Sequence, residues 1–143
     1  MTPDQISRVR SSWPDVAADA DAMTLRFYEH LFAIDAGAAR LFAHTDMGAQ
    51  RVKLAQMLEA LVNALDDPDR LVPVIAALGK RHTHYGVESR HFDSVGEALL
   101  LALGETLGVA FTPGTRQAWS ETYWLVASVM RRALVRASIP HAR

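Results

Sequence analysis

Apolar residues recur at the helical period along almost the whole chain, and that pattern restricts the fold more than any other feature. Leu54, Leu58, Leu61 and Leu65 fall on one stripe, and so do Phe92, Val95, Leu99, Leu100, Leu103 and Leu107. Trp119, Tyr123, Val126 and Met130 form a third stripe. No stretch of useful length alternates apolar and polar residues as a strand would. The sequence Thr2-Pro3-Asp4-Gln5 is a capping-box start with Pro3 at the first helical position, and it opens a helix to about residue 18. A second helix is predicted over TLRFYEHLF, with Leu25, Tyr28, Leu31 and Phe32 facing inward, and a short turn of helix over 36–41. Residues 43–48 read as a loop, and the next helix as 49–65. Asp66-Asp67-Pro68-Asp69 breaks the pattern and starts a helix that carries Leu71, Val74, Ile75 and Leu78 and ends at Gly86. Two more helices follow over 89–108 and 113–137. About seven helices joined by connections of a few residues make an all-α fold. Periodicity alone does not separate one helical array from another.

The chain has 143 residues, enough for one hydrophobic core, so a single domain over 1–143 is expected. Half the residues are apolar, 22% are charged and the net charge is −1, which gives no basic face for nucleic acid. There is no cysteine, so disulfides, thiolate metal sites and cysteine nucleophiles are all excluded. The N-terminus has no apolar signal core, and no apolar run is long enough to span a bilayer. A soluble, cytoplasmic protein with no membrane partner is the expectation.

The apolar stripe of the fifth helix contains a histidine. From Leu71, Leu78 lies seven residues on and His82 eleven, so both return to nearly the same angle, with Tyr85 continuing the stripe. His84 is swung about 200° from His82 and faces away. An inward histidine has two readings. Its ring nitrogens can be satisfied by backbone carbonyls in the core, at little cost. Or one nitrogen can bind a metal while the other donates to a carbonyl. One protein ligand holds a bare metal poorly but can hold haem iron, because the porphyrin supplies four nitrogens.

Two further polar residues share inward faces. Gln50 lies one turn before Leu54, and Tyr28 lies on the stripe of the second helix. Taken singly, a core tyrosine and a first-turn glutamine are ordinary. Taken with His82, a phenol and a carboxamide are donors suited to a diatomic ligand that carries partial negative charge. Phe42, Leu54, Val95 and Val126 would be apolar walls.

At these residues the chain resembles the bacterial single-domain haemoglobins of the Vitreoscilla type and the globin half of flavohaemoglobins, and in its second half neuroglobin. The segments that carry the resemblance are FYEHLF, Leu41-Phe42, QRVKL at 50–54, LGKRHTHYGV at 78–87, HFDSVGEALL at 91–100 and LGVAFTPGTRQAWSETY at 107–123. They cover essentially the whole length in the right order, with the family's spacing from Gln50 to His82. The resemblance implies a globin fold around a haem b pocket with His82 as the iron ligand. It implies that Phe42 wedges against the haem and that Tyr28, Gln50 and Leu54 are the distal residues. Lys53 and Arg81 match positions near the propionates. Leu78, Tyr85, Val87, Phe92, Val95, Tyr123 and Val126 match haem-lining positions.

The sequence also departs from the pattern. The proximal tyrosine and glutamate of flavohaemoglobins are replaced by Phe92 and Leu134, which weakens the case for peroxidase-like chemistry. Gln50 replaces neuroglobin's distal histidine, so an iron held tightly by two histidines is not expected. The reading that follows is reversible binding of dioxygen, and of NO and CO, at ferrous iron. The alternatives are an NO dioxygenase fed by an external electron donor or reductase, and a haem-free globin-like sensing or docking module. Whether the chain turns over as an enzyme, and whether it is a monomer or a homodimer, stay open at this point. His30, His44, His91 and His141 read as surface or partly exposed, and Trp13, Trp119 and Trp124 as packing residues.

Overall fold

The structure, a computed structural model, describes residues 1–83 and 88–138, without the side chains of 80–83 and 133–138. Among the described residues there are seven α-helices and no strand. They are α1 (Pro3–Ala18), α2 (Ala20–Ile34), α3 (Ala36–Leu41), α4 (Met47–Ala64), α5 (Pro68–Thr83), α6 (His91–Leu107) and α7 (Pro113–Ser138), with a 3-10 turn at Gly108–Ala110. None of these helices is long and apolar enough to cross a membrane.

The helix starts show why these segments form where they do. Thr2 and Gln5 cap each other reciprocally at α1, and Pro3 occupies a position whose N–H has no helical partner. Asp46 Oδ1 accepts the Ala49 N–H at 3.2 Å, so α4 begins at Met47, two residues before the apolar pattern suggests. Asp35 does the same for α3 through the Ala38 N–H, also at 3.2 Å. At the other end of α4, Arg10 donates to the Val62 and Asn63 carbonyls at 3.2 and 2.9 Å and pairs with both oxygens of Asp66. Gly108 closes α6 at φ +57°, a conformation glycine enters without a Cβ clash.

The core is assembled from paired helices. α2 packs against α6, α5 against α7, and α1 across α7, while α4 touches α1, α2 and α5. Trp13 and Trp119 meet at 6.3 Å between α1 and α7, and Trp119 donates its indole N–H to Ser12 Oγ at 2.9 Å. Both rings are buried, as expected, but Trp124 is 40% exposed and faces out of α7.

Three other expectations change. α2 starts at Ala20, before the TLRFYEHLF stretch, because alanines prolong a helix without marking a stripe. Its buried arc is centred on Thr24, Phe27 and Leu31; Leu25 lies about 120° round the helix from Leu31 and is 43% exposed. In α5, Leu71, Ile75 and Leu78 are buried, while Val74 sits at the edge of the stripe and is exposed. The predicted end of this helix at Gly86 lies outside the described residues.

α6 and α7 approach closely at Gly96. A Cβ there would stand 2.7 Å from Cε2 of Tyr123. That ring is not free to retreat, because its hydroxyl donates to the Phe92 carbonyl at 2.6 Å. Gly96→Ala is therefore expected to destabilise the fold by about 1–3 kcal/mol, the usual cost of overpacking a filled interior. The measurement is the midpoint of chemical denaturation at unchanged slope.

Candidate functional site

Helices α2 and α4 bring two polar side chains together inside an apolar shell. Tyr28 on α2 is 6% exposed, and Gln50, in the first turn of α4, is half-buried. Gln50 Nε2 donates to the Tyr28 hydroxyl oxygen at 3.1 Å. The bond consumes an acceptor site on the phenol and leaves the phenolic proton free for another partner. Aromatic edges hold the Tyr28 ring in place. Phe27, Phe42 and Phe32 lie 4.9, 5.4 and 5.8 Å from it between centroids. Phe42 caps the C-terminal end of α3 and also meets Phe32 at 5.6 Å. Leu54, one turn beyond Gln50, is buried.

The remaining residues singled out by sequence come from α5, α6 and α7. Leu78, Phe92 and Val126 are buried, while Val95 and Tyr123 pack half-buried against the core. His82 stands one helical turn beyond Leu78 in α5, after the buried Leu71 and Ile75. The side chains of His82 and Arg81 lie outside the described residues, as do Tyr85, Val87 and His84 entirely. Lys53 is exposed on α4. Leu134 is in α7, with its side chain outside the described residues, and His141 lies outside them altogether.

Two features escape the sequence reading. The first is Arg131. Its guanidinium sits 5.1 Å over the Phe92 ring and 5.7 Å over that of Trp124, and it donates to the Ser89 carbonyl at 3.3 Å. A cation thus covers the phenyl group at position 92. The second is His91, expected near the surface but only 4% exposed. The stripe of α6 gives no phase at its first residue, and the partners of His91 lie just before α6 and between α2 and α3. His30, partly exposed as expected, pairs with Glu105 across α2 and α6. His44 is exposed.

The residues present suit a flat apolar group with one polar face. Phe42, Val95 and Tyr123 are only partly covered by protein, and they come from different helices. Among the described residues no cluster of three or more His, Asp or Glu side chains could hold a bare metal ion.

The seven α-helices among the described residues, with no strand, are consistent with the all-α globin fold. Residues 25–130 match the Globin family, and the chain belongs to it. Membership implies haem binding. The chain is 34% identical over 123 residues to a flavohemoprotein of Rhodopirellula baltica, covering 85% of this chain and 30% of the relative. It is 30% identical over 124 residues to one of Bacillus subtilis, covering 85% and 31%. It is 29% identical over 143 residues to one of Bordetella parapertussis, covering 96% and 36%. The chain thus spans about a third of the length of these curated relatives.

The protonation of Tyr28 matters to any role as a donor. Burial pushes its phenol above the ordinary tyrosine value of 10.0, and the Gln50 bond only partly opposes this. Burial raises Tyr123 more strongly, with Asp93 adding to the rise and Arg131 opposing it. Both groups are phenols throughout the neutral range. A raised folded-state value means that the stability they contribute is fully present below about pH 10 and lost as pH climbs through the folded-state values. The expected outcome is that the phenolate absorbance of Tyr28 and Tyr123 appears only together with alkaline unfolding, followed by ultraviolet absorbance and circular dichroism on the same samples.

Proposed function

We propose that this chain is a haem b protein that binds dioxygen reversibly, and NO and CO at the same place. The observation that carries the reading is the part-buried Gln50–Tyr28 hydrogen bond, in which the phenol accepts and so keeps its own proton to donate. When bound, haem iron supplies an open coordination position for a diatomic ligand.

The protein's part follows from its own groups. His82 would hold the iron through a ring nitrogen. Tyr28 would offer its phenolic proton to a ligand that carries partial negative charge, with Gln50 keeping that donor oriented. Phe42, Leu54, Leu78, Phe92, Val95, Tyr123 and Val126 exclude water from the macrocycle, joined by Tyr85 and Val87. Lys53 and Arg81 pair with the propionates at the edge, where such pairs contribute little to stability.

Purified protein is expected to show a strong Soret band, a ferrous form that takes up dioxygen, and loss of this spectrum in His82→Ala. Tyr28→Phe removes a charge-assisted bond worth roughly 1.5–3 kcal/mol, so dioxygen should leave about ten-fold faster or more. Stopped-flow measurement of the dissociation rate checks this. An unchanged rate removes Tyr28 from the role.

The flavohemoprotein relatives favour a second reading, NO dioxygenation. In it dioxygen, NO and one electron give nitrate, the electron coming from a separate reductase. Steady NADH-driven turnover with a reductase supports this reading; a single stoichiometric burst of nitrate does not.

A further inference from the structure

His91 is the most buried histidine among the described residues whose role is unexplained by packing alone. Its Nδ1 accepts the Glu88 backbone N–H at 2.9 Å. That bond places the ring proton on Nε2, because a nitrogen that accepts cannot also carry a hydrogen. Nε2 is buried with no hydrogen-bond partner, and it faces Asp35 Oδ2 at 3.9 Å. Asp35 is largely covered, with its side chain 10% exposed. Its other contacts tie two regions together. Oδ1 caps α3 through Ala38 at 3.2 Å, and Oδ2 accepts the Ser94 hydroxyl of α6 at 3.1 Å. Arg90 reaches Oδ1 at 3.5 Å and pairs with Glu88 at 2.8 Å.

These contacts lie between elements that carry proposed haem contacts. Asp35 opens α3, which ends at Phe42. His91 opens α6, next to Phe92 and one turn before Val95. Glu88, bonded to the His91 ring, is six residues beyond His82 along the chain. We propose that His91, together with Asp35, is a positioning residue for the haem pocket: a polar clamp that fixes Glu88, α3 up to Phe42, and the start of α6 with Phe92 relative to one another. The inference rests on the haem reading given above. The clamp acts through geometry, since neither residue is placed against the macrocycle.

The clamp is physically reasonable because each partner limits the other's freedom. A carboxylate buried without donors would be costly, and here the Ala38 N–H, the Ser94 hydroxyl and Arg90 satisfy it. Burial pushes the Asp35 carboxyl up, but these donors and His91 outweigh it and hold the group below the usual carboxylate range. It therefore stays an anion facing Nε2–H. An apolar side chain at 91 would leave the Glu88 N–H without its acceptor.

The test uses the haem-loaded protein and two readouts, the iron–histidine stretching band of the ferrous form and the rate of haem transfer to an acceptor globin. His91→Phe keeps ring volume and removes both nitrogens. It should shift the band and speed haem loss about five-fold, the factor one ordinary buried hydrogen bond is worth. His91→Asn returns an acceptor to the Glu88 N–H and should restore both readouts most of the way. A His91→Phe protein of lower stability but unchanged band and haem-loss rate overturns the proposal, because the residue would then be merely structural. Should His91→Phe not fold, Asp35→Asn, which keeps an α3 cap but removes the charge, should shift the band; an unmoved band overturns the proposal equally. His82→Ala separates the two layers. If its haem shows the wild-type band, or if the wild type takes up no haem, the haem reading fails and the clamp falls with it. If the band vanishes in His82→Ala but is unmoved in His91→Phe, only the clamp falls.

Discussion

The contact between Gly96 and Tyr123 sets the spacing on which the other helices depend. Without a Cβ at position 96, the Tyr123 ring lies against α6, and its hydroxyl locks to the Phe92 carbonyl. α7 in turn supports α5 and α1, and α6 supports α2. The close approach at Gly96 therefore helps to set how α2, packed on α6, stands relative to α5, packed on α7. Interiors packed at crystal-like density transmit such a displacement, and they do not absorb it locally.

Around that frame, two connected sets of polar side chains stand out among the described residues. Tyr28 and Gln50 join α2 to α4. His91, Asp35 and Ser94 join α6 to the corner between α2 and α3. Each set links elements far apart in sequence, and each would be costly if broken in half, because a lone buried donor or acceptor loses its water without compensation. The apolar contacts give the fold its stability, and these bonds select which helix faces meet. α2 takes part in both, with Tyr28 near its middle and Asp35 at its end, so the two sets share one rigid element.

Much of this was legible in the sequence, for reasons that also explain the failures. Tyr28 and Gln50 could be placed because each lies on a stripe whose neighbours, Leu31 and Leu54, fix the phase. The cap at Thr2 was readable because it is local. Leu25 and Val74 were misplaced because they lie at stripe edges, where a small rotation decides burial. Trp124 was misread from its size alone, although an indole can lie on a surface with a guanidinium stacked over it. His91 was missed because its partners are a backbone N–H three residues back and a carboxylate fifty-six residues away in the chain, and no period encodes that meeting.

The direction of the Gln50–Tyr28 bond bears on how such a pocket would choose among ligands. The amide donates, the phenol accepts, and what faces outward is a proton. A ligand at that proton is then selected by its basicity more than by its size. Carbon monoxide, with little charge on its outer atom, would gain almost nothing, whereas a polarised dioxygen or an anion would gain a full hydrogen bond. Reversing the bond, so that the phenol donated back to the amide, would need the Gln50 amide to turn over and present its oxygen, and would cancel that preference. Selectivity here would reside in the polarity of one hydrogen bond.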